Sequence, residues 1–165
     1  MSYQPWENEP NEAVFEASGL KCKIRRVMRS GHLCGYVGVP ASHPWFGKQY
    51  SDSVLAPAGA LERSIDVDRI SVIALFCAAG QDHEEGHHRI ELLVDVHGGL
   101  TWSDAGDDEL EGLWVFGFDC AHAGDLCPEA AKRYSSFDGI YRDFDYVKAE
   151  SESLARQLAS IGATA

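Results

Sequence analysis

The sequence contains no long hydrophobic run, and its first residues lack the pattern of a secretory leader. None of its 165 residues lies in an apolar stretch approaching the roughly 20 residues that a membrane-spanning helix requires. The first ten residues carry neither a basic patch nor the apolar segment typical of secretion. We therefore expect a cytoplasmic protein without a membrane partner.

Basic residues are also scarce. The chain has 14 Lys and Arg against 26 Asp and Glu, which gives a formal net charge of -12. Such a surface repels a phosphate backbone and shows no basic stripe, so we expect no long nucleic acid as a partner. A small anionic ligand stays compatible, because one or two local arginines or backbone amides suffice to bind a phosphate.

The cysteines show no pairing pattern in the sequence. The number of cysteines is odd and no Cys-x-x-Cys motif occurs, so the sequence indicates neither a disulfide framework nor a structural zinc site. We expect reduced thiols in a reducing compartment. The five residues are Cys22, Cys34, Cys77, Cys120 and Cys127.

The length and composition predict one domain. A chain of this size with 45% hydrophobic residues buries one core but not two. Residues 1–12 are predicted to form a flexible N-terminal arm, and residues 13–165 a single α+β domain. Association into a homo-oligomer is compatible with this composition.

Alternation of apolar and polar residues predicts an antiparallel sheet. Leu20, Cys22 and Ile24 alternate with basic residues, and Ser18-Gly19 marks a hairpin turn before them. Further strands are predicted at residues 32–39, 70–76, 90–96 and 113–118, and a long excursion without periodicity at residues 41–69.

The C-terminal part changes to a helical period. Between residues 141 and 161, apolar residues recur at steps of three and four, with Gly162 as a stop and a shorter helix starting near Pro128. We therefore predict an α+β fold, mainly an antiparallel sheet of five or six strands with a long C-terminal helix packed on one face.

Two short segments carry most of the unusual chemistry. Residues 94–101 read VDVHGGLT and residues 117–125 read GFDCAHAGD, each an apolar strand that runs into a glycine-bearing loop with histidine and carboxylates. Polar groups at such strand ends serve ligands more often than cores. We predict that His97, Asp119, Cys120, His122 and Asp125 converge on one pocket.

Hydrolysis of a phosphodiester or related bond is the first chemistry that these residues fit. It needs a base, a proton donor and charge stabilisation, and we assign His97, His122 and Asp119 as catalytic. On a strand, Asp95 would share a face with His97, and the Gly98 and Gly99 amides would face an anion. The same two glycines also fit an ordinary tight turn.

The predicted ligand-binding residues share an aromatic ring, a cationic group or a polar position near the two motifs. Aromatic rings would stack on a planar ligand and cations would meet a phosphate, whereas Cys120 reads as a small buried thiol and not as a nucleophile. The set is Asp95, Gly98, Gly99, Thr101, Tyr36, Trp45, Lys48, Tyr50, Cys120, Asp125 and Arg142.

A divalent metal is the second chemistry. Asp119, His122 and Asp125 repeat at three-residue steps and, with His97 or His32, offer oxygen and nitrogen ligands suited to Mn, Fe or Zn. Loop spacing does not fix these side chains on one face, so a metal-free site stays open. The separate histidines at residues 83, 87 and 88 read as a solvated turn.

The same segments resemble a known family. Together with the segments CGYV at residues 34–37, WFGKQY at 45–50 and YRD at 141–143, the two motifs are similar to a widespread family of small proteins encoded by bacteriophages and prophages. The resemblance covers about residues 20–160. It implies action in the host bacterial cytosol and, by analogy with phage proteins that counter host immunity, a nucleotide-derived signal as ligand.

The sequence thus favours a protein that recognises a small nucleotide-derived molecule in a pocket lined by His and Asp, and hydrolyses it. Sequestration of the same molecule without catalysis is an alternative. A third class is a protein-binding inhibitor that uses the long loop and the acidic surface.

Overall fold

The computed structural model describes residues 4–60, 69, 84–133 and 139–164, and its main feature is an antiparallel sheet. The strands are β1 (Glu12–Ala17), β2 (Leu20–Arg26), β3 (Leu33–Val39), β4 (Ser53–Leu55), β5 (His87–Arg89), β6 (Trp102–Ala105) and β7 (Trp114–Asp119). Five of them form one sheet in the order β1-β2-β3-β7-β6, while β4 and β5 form a second, two-stranded sheet. Every neighbouring pair is antiparallel, which confirms the predicted fold class.

Three α-helices accompany the sheets within the described residues. They are α1 (Ile90–Leu93), α2 (Pro128–Arg133) and α3 (Phe144–Ala163). The long helix α3 begins where it does because the Asp143 carboxylate accepts a hydrogen bond from the Tyr146 N–H at 2.9 Å, as an N-cap residue does. None of the described helices has the length and apolarity to cross a membrane.

The first hairpin follows directly from its turn residues. Ser18 and Gly19 both have positive φ, 50° and 76°, and they join β1 to β2 without a longer loop. A two-residue turn of this kind matches the twist of the strands on either side. The hairpin predicted at this position is therefore confirmed.

Helix α3 packs on one face of the sheet, as predicted. Val147, Leu154 and Leu158 of the helix are fully buried with apolar residues of β2, β3 and β7 in a single core cluster. Gly35 of β3 permits the close approach, because a Cβ there would lie 2.4 Å from the Phe118 ring and 2.5 Å from Ser151 Oγ of the helix.

Contacts of Glu9 attach the predicted N-terminal arm to this domain. Its Oε2 accepts hydrogen bonds from Arg26 Nη2 at 2.9 Å and from the Tyr141 hydroxyl at 2.6 Å. Its Oε1 accepts from the backbone N–H of Phe144, the first residue of α3. Through Glu9, the arm therefore contacts both strand β2 and the first residue of helix α3.

One predicted strand is wrong. Residues 90–96 form a single helical turn, α1, followed by irregular chain. Ile90 and Leu93 lie three positions apart and are both buried, which a short helix achieves as readily as a strand. Periodicity in so short an apolar run does not separate the two, and the predicted strand at 70–76 lies outside the described residues.

The predicted stop at Gly162 is also wrong, because α3 continues to Ala163. A Cβ at Gly162 would lie 2.9 Å from the His43 ring, so this glycine serves close packing inside the helix. Strand β6 was not anticipated, since its four residues carry no marked alternation.

Candidate functional site: a histidine–carboxylate cluster

Two loops from distant parts of the sequence lie side by side. The first loop (residues 94–101) brings the His97 ring to 5.6 Å from the His122 ring of the second loop (residues 119–125), measured between centroids. A Cβ at Gly98 would lie only 2.1 Å from His122 Cε1, so the His122 ring rests against the Gly98 backbone. The first motif needs glycine here both for this contact and for its φ of 69°.

The second loop is a tight turn that directs Asp125 inward. The Asp125 N–H donates to the His122 carbonyl at 2.9 Å, and the His122 N–H donates to Asp125 Oδ2 at 3.0 Å. Ile140 holds the loop from outside, through backbone hydrogen bonds with Gly124 and Leu126. The Asp125 side chain is consequently only 2% exposed.

Asp125 is the buried centre of the site. Its Oδ2 lies 2.8 Å from His97 Nε2, and its Oδ1 accepts a hydrogen bond from Arg142 Nε at 2.9 Å. Burial by itself raises the pKa of Asp125, but His122, His97 and Arg142 outweigh burial and hold the pKa well below its usual range. The carboxylate therefore stays ionised and attracts cations.

His97 is fixed from several sides. Its Nδ1 lies 2.9 Å from the Tyr146 hydroxyl, and its backbone N–H donates to Glu150 Oε2 at 2.8 Å. Glu150 is in turn paired with Arg69 Nη2 at 2.7 Å. Both ring nitrogens of His97 therefore have partners, which hold the imidazole in one orientation.

His122 is the unsatisfied member. Its Nδ1 is buried and has no hydrogen-bond partner in the described part of the chain. The atom lies 3.8 Å from Asp119 Oδ1 and 3.8 Å from Asp125 Oδ2, too far for a hydrogen bond to either. The Asp125 carboxylate, supported by Asp119, raises the pKa of His122 against the opposing effect of burial. A buried polar atom without a hydrogen bond is a place where a water molecule or an ion can bind.

A divalent metal fits the group formed by His97, His122 and Asp125, here called the ligand trio. One ligand atom from each residue lies within 4.8 Å of the others. Zinc bonds of about 2.0–2.1 Å place tetrahedral ligands about 3.3 Å apart. The two separations from Asp125 Oδ2, 2.8 Å to His97 and 3.8 Å to His122, lie on either side of that value.

The predicted metal set is found only in part. Asp119 lies outside the ligand trio, and His97 takes its place. Both Asp119 oxygens already accept hydrogen bonds, Oδ1 from the Ala121 N–H at 3.0 Å and Oδ2 from Thr101 Oγ1 at 2.9 Å. Thr101, a predicted ligand-binding residue, thus orients Asp119 beside His122.

Arg142 adds positive charge at the edge of the cluster. Its guanidinium carbon lies 4.9 Å from the Tyr146 ring centroid, in a cation–π contact, while Nε binds Asp125. Its two terminal nitrogens have no hydrogen-bond partner among the described residues. The N–H groups on these two nitrogens could bind an anionic ligand, and the assignment of Arg142 as a ligand-binding residue stays a prediction.

An open hollow of about 410 Å³ adjoins the cluster at Asp119. It brings together predicted residues from three strands or their ends, because β3 pairs with β7 and β7 with β6. Its polar and aromatic lining includes His32, Tyr36, Thr101, Trp102 and Asp119.

Four predicted ligand-binding residues lie elsewhere. Trp45 and Cys120 are each 2% exposed in the core, where Trp45 meets Phe116 edge to face and burial raises the pKa of the Cys120 thiol. Both side chains are closed off from solvent. Lys48 and Tyr50 belong to the loop before β4, where their backbone groups bond to Trp114 Nε1 and Ser103 Oγ respectively.

Two assignments in the first loop are also corrected. Asp95 pairs with Arg69 at 3.0 Å and does not join His97, because the chain here is not a strand and strand alternation does not apply. The Gly99 N–H donates to the Val96 carbonyl at 2.9 Å. That amide closes a turn and is not available to bind an anion.

Sequence reasoning missed three residues of the site: Arg69, Tyr146 and Glu150. A signal for two of them existed, because Arg142, Tyr146 and Glu150 recur at steps of four beside the apolar stripe of the last helix. Residues spaced by four share one face of a helix. The polar row therefore marks the side of α3 that meets the cluster.

Comparison with known proteins gives no identification. No protein-family profile matches the chain, and neither a curated protein nor a solved structure matches it significantly. Inference about function therefore depends on the geometry and chemistry of the cluster.

Proposed function

We propose that the protein is a metal-assisted hydrolase that cleaves a phosphodiester or related bond in a small nucleotide-derived molecule. The observation that carries the proposal is the buried, unpartnered Nδ1 of His122, which faces Asp125 beside His97. Two imidazoles and one carboxylate are a donor set typical of catalytic zinc and related metals, with a position left open for water or substrate.

Each residue of the cluster has a role in this chemistry. A divalent cation at the ligand trio would supply Lewis-acid polarisation and activation of water. Tyr146 holds the His97 ring through Nδ1, and Thr101 holds Asp119 beside His122. Asp119 lines the hollow, and in this proposal its carboxylate accepts the proton of the attacking water.

Arg142 supports an anionic substrate in particular. Its guanidinium is anchored on Asp125 and Tyr146, and it lies at the edge of the ligand trio. Arginine donors aimed at a phosphoryl group stabilise the charge that develops during hydrolysis. On the resemblance to phage-encoded proteins, we extend the proposal to a host immune nucleotide signal as the substrate and to the bacterial cytosol as the place of action.

Sequestration of the same ligand is the second candidate. It is favoured by one observation, that both ring nitrogens of His97 already have protein partners. A His97 ring that is satisfied in this way can support a binding surface without turnover. Arg142 and the hollow would then hold the ligand unchanged.

Chromatography separates the two functions. The protein is incubated with Zn²⁺ or Mn²⁺ and a panel of cyclic nucleotides and ADP-ribose derivatives, then heated, and the released molecules are resolved. New products that disappear with EDTA support the hydrolase. Recovery of intact ligand supports sequestration, and a panel neither retained nor converted contradicts both.

Two histidine variants make the test specific. His122→Ala should lower turnover by about 100-fold or more, the usual effect of losing a catalytic acid–base or metal-positioning group. His87→Ala is the matched control, because His87 lies in the small sheet on β5, outside the cluster. Equal activity of the two variants would contradict the assignment.

A further inference from the structure

The face of the five-stranded sheet opposite α3 carries an aromatic groove, formed by Tyr36, Gly117 and Trp102. These three residues are direct neighbours across β3, β7 and β6, so their side-chain positions share one face. The alternate residues Val37 and Phe116 are buried in the core under the helix. Trp102, by contrast, is 52% exposed.

Gly117 gives the groove its shape. A Cβ at this position would lie 2.7 Å from Tyr36 Cδ1, so the Tyr36 ring lies over the Gly117 backbone, in the direction of Trp102. Tyr36 and Trp102 line two hollows, one of about 180 Å³ that includes Arg25 and one of about 410 Å³ that includes Asp119. The aromatic groove therefore runs from a cation at one end to the histidine–carboxylate cluster at the other.

Charge on this face is mixed, because Asp104 and Asp107 line the smaller hollow together with Lys23 and Arg25. Strand β2 carries three outward basic residues, and Glu109 binds two of them, Lys21 through its carbonyl and Lys23 through its carboxylate at 2.8 Å. Arg25 is exposed and forms no ion pair within the described residues, although Glu12 lies opposite it across the strands. Arg25 is the cation on this face without an ion pair among the described residues, and it lies beside the exposed Trp102 and the partly buried Tyr36. An arginine next to aromatic rings matches a ligand with both a ring and a phosphate.

We propose that the aromatic groove binds the nucleobase of a substrate that carries more than one phosphate, as ADP-ribose and cyclic dinucleotides do. The base stacks on Trp102 against Tyr36, and Arg25 pairs with one phosphate. The remainder of the ligand extends toward Asp119, where bond cleavage takes place. This inference rests on the proposed function, because it names the substrate class of the same site.

The first test is calorimetric titration with ADP-ribose, carried out in EDTA to suppress turnover. Ribose 5-phosphate lacks the base and adenosine lacks the phosphates, so together they separate stacking from ion pairing. Trp102→Ala should weaken ADP-ribose binding by about tenfold or more, and Trp102→Phe should retain most of the affinity. Arg25→Gln should weaken ADP-ribose but leave adenosine unaffected.

Phe46→Ala is the matched control, because Phe46 is another exposed aromatic residue that packs on Trp114, outside the groove. The proposal is contradicted if Trp102→Ala keeps its ADP-ribose affinity. It is also contradicted if Phe46→Ala loses as much ADP-ribose affinity as Trp102→Ala does. Trp102→Ala should bind Zn²⁺ with the same affinity as the unaltered protein. That result would show that the fold and the ligand trio are intact in the variant.

The two proposals fail in different ways. If binding depends on the base and requires Trp102 but no product forms, the aromatic groove is supported as the base-binding site and the hydrolase activity is contradicted. If Trp102→Ala hydrolyses a nucleotide of the panel with the same KM as the unaltered protein, the hydrolase activity is supported and base binding in the aromatic groove is contradicted.

Discussion

A pair of adjacent glycines allows a sharp test of how the two loops meet. Gly98→Ala would place a methyl group 2.1 Å from His122 Cε1 and 2.4 Å from its Nδ1. The ring would have to retreat by more than about 1 Å to reach ordinary van der Waals distance. Gly99→Ala has nothing within 4 Å of its added Cβ, although both glycines have positive φ, 69° and 83°.

Both substitutions therefore carry the free-energy cost of a Cβ at positive φ, and only Gly98→Ala adds a steric contact with the His122 ring. A residue with a Cβ in the left-handed region costs about 1–2 kcal/mol, so both variants should lose about that much free energy of unfolding. Gly98→Ala should lose more, because it also displaces the His122 ring. A displacement of about 1 Å at a catalytic group commonly lowers the rate by about 100-fold.

Three measurements together decide the matter. Urea denaturation gives the free energy of unfolding, Zn²⁺ titration gives the affinity of the ligand trio, and NMR of the imidazole signals reports the position of His122. We expect Gly99→Ala to keep the metal affinity and the His122 signals, and Gly98→Ala to lose both. Similar losses in the two variants, or unchanged His122 signals in Gly98→Ala, would refute the reasoning.

Two further predictions concern the core. The buried His43 ring accepts a hydrogen bond from the Trp45 N–H at 3.1 Å and bonds to the Leu158 carbonyl at 2.9 Å, and burial lowers its pKa. The unfolded chain then binds this proton more readily, so the free energy of unfolding should fall as pH drops below about 6.5, and His43→Gln should reduce that slope in urea titrations. Gly35→Ala should destabilise the fold by about 1–3 kcal/mol in the same assay, because its Cβ would lie 2.5 Å from Ser151 Oγ.

Each core prediction has its own control. His32 also has a lowered pKa and contributes a slope of the same sign, so only the difference between the unaltered protein and His43→Gln is informative. An identical slope in the two proteins would contradict the neutral, doubly bonded His43. Ser151→Ala, which removes only the hydroxyl at the contact, should cost less than Gly35→Ala, and the reverse order would contradict close helix packing.

Local residue patterns were sufficient for the elements whose structure depends on neighbours in the chain. The Ser18-Gly19 turn, the alternation in β2 and the apolar spacing of α3 are each determined by backbone geometry over a few residues. The same local reasoning failed at residues 90–96, where a short apolar run fits a buried helix turn as well as a strand. It also missed β6, whose pairing with β7 is a property of the sheet and not of its own four residues.

The sequence by itself determined which loops hold the histidines and carboxylates, and that glycines flank them. Only the tertiary structure decided which of these groups act together: His97 replaces Asp119 in the ligand trio, and Tyr146, Glu150 and Arg142 join from the region of the last helix. The physical reason is the distance along the chain over which each interaction acts. Backbone preferences operate over a few residues, whereas the distances between side chains of separate loops are set by how the helix and sheet pack around one core.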